Sequence, residues 1–151
     1  MLYKKTLFLS LLLLYQSDHI IGQYQEEIIT FKSANPFSLN DIIDNIDNQE
    51  EQEVFGKLTI PEDTSNLDNK YPLVIGVAGS LGWSDHHYEY LEMYREMGIA
   101  TFELNSFKSR NITSTVGSQI EVTIASMILD AYRAFEKLAS HPRIDKERVS
   151  I

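Results

Sequence analysis

The chain has no cysteine in its 151 residues. It therefore forms no disulfide, builds no thiolate metal site and has no thiol nucleophile. Positive charge is scarce as well: 13 Lys and Arg stand against 22 Asp and Glu, for a formal net charge of -9. A surface of that sign repels nucleic acid and anionic membranes, so neither is expected as a partner. Long apolar runs are missing too. The richest stretch, Thr6 to Tyr15, stops well short of the roughly 20 residues a spanning helix needs, and Gln16 to His19 interrupt it.

That stretch follows Lys4 and Lys5, and a positive start before a short apolar core has the form of a secretory signal. Residues 1–22 are therefore expected to direct export to a periplasm or the extracellular space, with cleavage near Gly22. With no cysteine at the cut a lipoprotein anchor is excluded, and no stable membrane anchor is expected. Residues 23–53 are rich in Asn, Asp, Glu and Gln and read as a polar, acidic extension, with a first strand at Tyr24 to Thr30. The acidic run from Asn48 to Glu53 is a solvated face or loop. Residues 54–151 carry the folded domain.

Within the domain, Val54 to Ile60 alternates as a half-buried strand should. Pro72 to Val77 is a short apolar run bounded by turn residues, the pattern of a buried strand in a parallel sheet. It ends in glycines spaced three apart, Gly76, Gly79 and Gly82. Ser84 to Met97 reads as a helix with Tyr90, Leu91, Tyr94 and Met97 on its apolar face, stopped by Gly98. Ile99 to Leu104 is the next strand, and Asn105 to Gly117 is a long polar loop of the kind that often carries function. Ser118 and Glu121 form a capping box. The helix they open shows an apolar stripe of Ile120, Ile124, Met127, Ile128, Ala131, Phe135 and Leu138. Val149 to Ile151 starts another strand. Strands alternating with amphipathic helices predict an α/β fold with a mostly parallel sheet.

The glycine loop admits two chemistries. Gly76-x-x-Gly79-x-x-Gly82 resembles the pyrophosphate loop of extended short-chain dehydrogenases, with Glu103 where a ribose-binding acid is expected, which would make NAD(P) the cofactor. Against it, Trp83 to His87 intervene before the helical pattern begins, and a strand precedes the one that feeds the loop. The other chemistry is acyl transfer, where backbone N–H groups of such a loop meet the negative charge that develops on a carbonyl oxygen.

Three segments, PLVIGVAGSLGWSDHH (72–87), MGIATFELNSFKSRNITSTVG (97–117) and ILDAYRAFEKLASHPRIDKERVSI (128–151), resemble in order and spacing the dienelactone hydrolase-like family of α/β hydrolases. The resemblance runs from Tyr71 to Ile151 and implies the N-terminal half of an α/β-hydrolase fold, ending before the nucleophile elbow. It implies a small-molecule ester or lactone as substrate, hydrolysed by a Ser-His-Asp arrangement with no metal and no organic cofactor. By position, Ser80 supplies the oxyanion N–H with Leu81 as the second choice, and Gly79 and Gly82 shape the loop. Trp83, Ser106, Phe107 and Arg110 line the substrate site, Trp83 being either a substrate-lining aromatic or a lid over the core. Ala78 departs from the family's usual histidine, which removes a side-chain anchor of the loop but no backbone donor. The nucleophile's G-x-S-x-G is expected just after Ile151 and is not present, nor are the acid and histidine that follow it. These 151 residues alone are therefore expected to be inactive. A non-catalytic binding protein is the further alternative, and the oligomeric state is not legible.

Other residues have plainer readings. His86 and His87 are adjacent on the chain and cannot both face one metal ion from a helix, so they read as a polar pair at a helix start. Ser84 and Asp85 read as N-caps. Asn111-Ile112-Thr113 is a glycosylation sequon, relevant in a eukaryotic source.

Overall fold

The structure, a computed structural model, describes residues 24–61 and 70–151. The expected signal segment lies outside the described residues. Five strands form one sheet: β1 (Tyr24–Ala34), β2 (Glu51–Pro61), β3 (Tyr71–Val77), β4 (Ala100–Leu104) and β5 (Ile144–Ser150). Their order across the sheet is β1-β2-β4-β3-β5. β1–β2 and β2–β4 pair antiparallel, whereas β3 pairs parallel with both β4 and β5. The helices are α1 (Leu39–Asp44), α2 (Asp85–Glu96) and α3 (Ile124–Ala139).

Alternation along the strands sorts the two faces of the sheet. Tyr71, Leu73 and Ile75 of β3 and Ala100, Phe102 and Leu104 of β4 are buried in one cluster with Ile29, Phe31, Val54, Leu58 and Ile60. Ala131, Ala134 and Leu138 of α3 close that side. The opposite face is met by α2: Arg95 donates to the Thr101 hydroxyl at 3.0 Å, and Leu91 packs near Gly76. At the β2–β4 seam, a Cβ on Gly56 would stand 2.2 Å from Cζ of Phe102, so the largest fully buried side chain fits only because position 56 is glycine.

Several expectations change. Residues 24–34 belong to the sheet as β1, which pairs with β2 along its whole length and contributes Ile29 and Phe31 to the core. Its exposed positions include Gln25, Glu26, Glu27, Thr30 and Lys32, while Ile29, Phe31, Ser33 and Ala34 are buried. The longest helix starts at Ile124, later than the Ser118–Glu121 box implied. Thr123 is its N-cap, accepting from the Ser126 N–H at 3.0 Å while its own hydroxyl donates to the Pro36 carbonyl at 2.6 Å. Its buried face is Ala125, Ser126, Leu129, Asp130, Ala131, Ala134 and Leu138, whereas Ile124 and Ile128 are exposed. Small residues let α3 lie close on the sheet; of the stripe read from the sequence Ala131 and Leu138 are buried, while Ile120, Ile124 and Ile128 sit to one side. On α2 only Leu91 of the expected apolar face is buried; Tyr90, Tyr94 and Met97 are exposed. β5 begins at Ile144, with Ile144 and Val149 inward and Lys146, Glu147 and Arg148 outward. No helix among the described residues is long and apolar enough to cross a membrane.

Candidate functional site

Beyond the C-terminal end of β3 the chain makes a tight turn. Gly79 and Gly82 face each other in an antiparallel bridge, the Gly82 N–H donating to the Gly79 carbonyl at 2.8 Å. Gly82 takes φ +76°, and a Cβ there would come within 3.3 Å of the Thr113 carbonyl oxygen. Glycine meets both demands at once. Ser80 and Leu81 form the tip. The Ser80 carbonyl accepts from the Thr115 N–H at 2.9 Å and from the Ser114 hydroxyl at 3.1 Å, which pins the tip to the long loop after β4. Because a trans peptide points its C=O and N–H in opposite directions, the Leu81 N–H faces away from that loop segment. Neither the Ser80 nor the Leu81 N–H has a hydrogen-bond acceptor among the described residues.

Trp83 follows the turn. Its indole lies over Gly76, where a Cβ would meet Cη2 at 2.7 Å, and its Nε1–H donates to the Leu104 carbonyl at 2.9 Å. The ring stacks on Tyr88 with 5.7 Å between centroids and meets His87 edge-on at 5.6 Å. Ser84 caps α2, its N–H donating to His87 Nδ1 at 3.1 Å. That bond makes Nδ1 an acceptor and places the proton of the neutral ring on Nε2. His86 and His87 thus belong to a helix cap, and no group of three or more metal-ligating side chains is found among the described residues.

Under Tyr88 and Trp83 sits Glu103, paired across the ladder with Gly76 and buried. The Tyr88 hydroxyl lies 3.4 Å from its carboxylate, and the Asn105 amide donates to it at 3.3 Å. Burial, and then the neighbouring Glu103 charge, push the Tyr88 pKa above its ordinary value.

These elements enclose a cavity of about 210 Å³ at the ends of β3 and β4. Its apolar wall is Val77, Leu81, Trp83, Leu104, Phe107 and Met127, and its polar lining includes Tyr88, Asn105, Ser106 and Lys108. Asn105 Oδ1 and Ser106 Oγ are buried without a hydrogen-bond partner among the described residues. Val77 and Met127 also border a second, apolar groove shared with Ile124, Ile128, Tyr132 and Ile151.

Among the residues singled out from sequence, Gly79 and Gly82 form the turn, Ser80 and Leu81 its tip, and Trp83, Ser106 and Phe107 line the cavity. Trp83 faces the cavity, and its indole also covers Gly76. Arg110 is placed elsewhere. Its guanidinium grips Asp130 through both oxygens, at 2.7 and 3.0 Å, in a pair whose side chains are 5% and 0% exposed. The remaining N–H groups go to Asn35 Oδ1 and to the carbonyls of Ser106 and Ala34, so all five donors of the group are used. Asn105, Tyr88 and Met127 reach the cavity without having been singled out. The first is the residue directly after a buried strand, and its position was the available signal.

No protein-family model and no curated protein matches the sequence. Solved structures do match. A Klebsiella pneumoniae protein described as a dienelactone hydrolase is 17% identical with a TM-score of 0.49, covering 82% of this chain and 48% of its own. A protein named m3DLH is 14% identical with a TM-score of 0.51, covering 82% of this chain and 47% of its own. The chain thus spans about half the length of the structures it matches. At these identities the likeness is one of fold. The α/β-hydrolase fold is shared with such structures over about half of their length.

Proposed function

We propose that this chain forms the oxyanion side and the substrate cavity of a serine hydrolase that acts on a carboxylic ester or lactone. The observation that carries this reading is the placement of β5. It runs parallel to β3 and directly beside it, with Leu73 opposite Val149 and Val74 opposite Ser150. A residue following β5 therefore emerges at the same end of the sheet as the Gly79–Gly82 turn and its two N–H groups that have no acceptor among the described residues. Acyl transfer needs that juxtaposition: a nucleophile on the turn after one strand, and an N–H donor from the loop after its neighbour. The cavity beside the turn would hold the acyl or alcohol portion. Nucleophile, acid and histidine are supplied from outside these residues, which alone are inactive, and no cofactor takes part.

The dinucleotide reading has weaker support. Gly82 closes a bridge onto Gly79, and α2 starts at Asp85 instead of at the last glycine, so the turn does not present a helix N-terminus to a pyrophosphate. We propose export through residues 1–22, checked by N-terminal sequencing of the secreted protein.

The hydrolase reading is tested with the chain continued by whatever its gene encodes after Ile151, assayed on p-nitrophenyl acetate, p-nitrophenyl butyrate and dihydrocoumarin. Turnover is expected, and Leu81→Pro or Ser80→Pro, whichever removes the working donor, should lower kcat about 100- to 1000-fold. A folded protein that hydrolyses none of the three contradicts the reading.

A further inference from the structure

Resting on the hydrolase reading, we infer that the Leu81 N–H is the oxyanion donor of the turn and that Ser114 is a positioning residue that aims it. Gly79 to Gly82 form a four-residue turn closed by the Gly82 N–H on the Gly79 carbonyl at 2.8 Å. That bond fixes the first peptide of the tip, Gly79–Ser80, from inside the turn. The second peptide, Ser80–Leu81, is fixed from outside. Its carbonyl accepts from the Thr115 N–H at 2.9 Å and from the Ser114 hydroxyl at 3.1 Å, with the Thr115 hydroxyl at 3.5 Å. Ser114 Oγ is itself held, because it accepts from the Val116 N–H at 3.1 Å, and its hydrogen is left for the Ser80 carbonyl.

A peptide unit is planar and here trans, so a carbonyl held by two donors fixes the direction of the N–H at the other side of the same unit. A single donor would leave the plane free to swing about that one bond. The Leu81 N–H is thereby aimed away from residues 114–115, and it has no acceptor among the described residues. Ser114 and Thr115 belong to the segment that leaves β4, which lies on one side of β3, whereas a residue after β5 arrives on the other side. Bonds to a carbonyl also polarise its amide and strengthen the attached N–H as a donor. The Ser80 N–H belongs to the other peptide and gains nothing from them. Among the described residues Leu81 lines the cavity, and neither Ser80 nor Ser114 does. A substitution at Ser114 therefore leaves the cavity wall in place and acts through the turn.

The test uses the chain continued by whatever its gene encodes after Ile151, with p-nitrophenyl butyrate as substrate and phenylboronic acid as the transition-state probe. The nucleophile's oxygen adds to the trivalent boron, its proton is taken by the base and nothing leaves, so the anionic tetrahedral adduct sets an oxygen where the oxyanion forms. Ser114→Ala should lower kcat and kcat/KM together by about 3- to 10-fold, the loss expected for one hydrogen bond whose effect is felt in the transition state. The phenylboronic acid Ki should rise by the same factor, while KM and the thermal unfolding midpoint match those of the natural chain. Ser114→Thr keeps the hydroxyl and should restore both kcat and Ki. The inference is overturned if Ser114→Ala leaves kcat and Ki unchanged, if its effect falls on KM or on stability instead, if Ser114→Thr restores nothing, or if Ser80→Pro costs more activity than Leu81→Pro. A folded natural chain that hydrolyses no ester overturns the hydrolase reading and this inference with it; turnover that Ser114→Ala leaves untouched overturns the inference alone.

Discussion

Asp130→Asn is the perturbation whose cost follows most directly from the structure. Asp130 is fully buried on α3 and accepts two bonds from Arg110 and one from the Ser33 hydroxyl at 2.6 Å. The cluster thereby ties α3 to β1 and, through the Arg110 bond to the Ser106 carbonyl at 2.9 Å, to the loop that lines the cavity. An amide at position 130 keeps the shape and still accepts from Ser33. It removes the only carboxylate paired with Arg110 among the described residues and leaves that cation buried and uncompensated. Breaking a buried pair in this way costs about 3–5 kcal/mol, a large part of the roughly 5–15 kcal/mol that holds a domain together. With a urea dependence of about 2 kcal/mol per molar, the unfolding midpoint should drop by about 2 M. The assay is urea unfolding followed by circular dichroism. Arg110→Met should be comparably damaging because it strands the carboxylate, whereas Arg110→Met with Asp130→Leu should recover most of the loss, since neither charge is then buried. A single Asp130→Asn variant that loses less than about 1 kcal/mol, or a double variant no better than the singles, refutes the reasoning.

Two further outcomes are expected. Gly76→Ala places a methyl group 2.7 Å from the Trp83 ring and should lever the indole off the Leu104 carbonyl, shifting Trp83 emission to the red at a cost of about 1–3 kcal/mol; unchanged emission contradicts the packing described. The hydroxyl of Tyr24 donates to Glu92, which raises the Tyr24 pKa and, together with Arg95, lowers that of Glu92. A raised folded-state pKa stabilises below the unfolded value and is lost as pH climbs, so this contact should weaken above about pH 10. A lowered one stabilises above the unfolded value and is lost as pH falls, so it should also weaken below about pH 4. Tyr24→Phe should flatten both limbs of a plot of Tm against pH, and a plot parallel to that of the natural chain contradicts the assignment.

What could be read from the sequence was what local pattern dictates. The apolar run from Pro72 to Val77 is a strand because nothing polar breaks it, and the glycines after it form the turn because Gly82 needs a positive φ that other residues resist. What could not be read depends on partners distant in the chain. Arg110 follows a strand and precedes a polar loop, as a substrate-binding arginine would. Only the fold reveals Asp130 and Ala34 waiting for it from a helix and from β1. The buried face of α3 was legible only in part for a related reason: periodicity marked Ala131 and Leu138 correctly but also the exposed Ile124 and Ile128, while close approach to the sheet selected Ala125 and Ala134 as well. In β1 the run from Tyr24 to Thr30 was legible as a strand, but its polar start, Gln25, Glu26 and Glu27, hid that it continues to Ala34 and buries Ile29, Phe31 and Ser33.

The central claim is that the turn after β3 waits for a nucleophile delivered at the end of β5. The measurement that tests it most directly is the sequence of the transcript downstream of the Ile151 codon. The account predicts a G-x-S-x-G motif within about 10 residues, in frame or after one frame correction, followed further on by an acidic residue and then a histidine. A transcript with no such motif beyond Ile151 in any frame contradicts it.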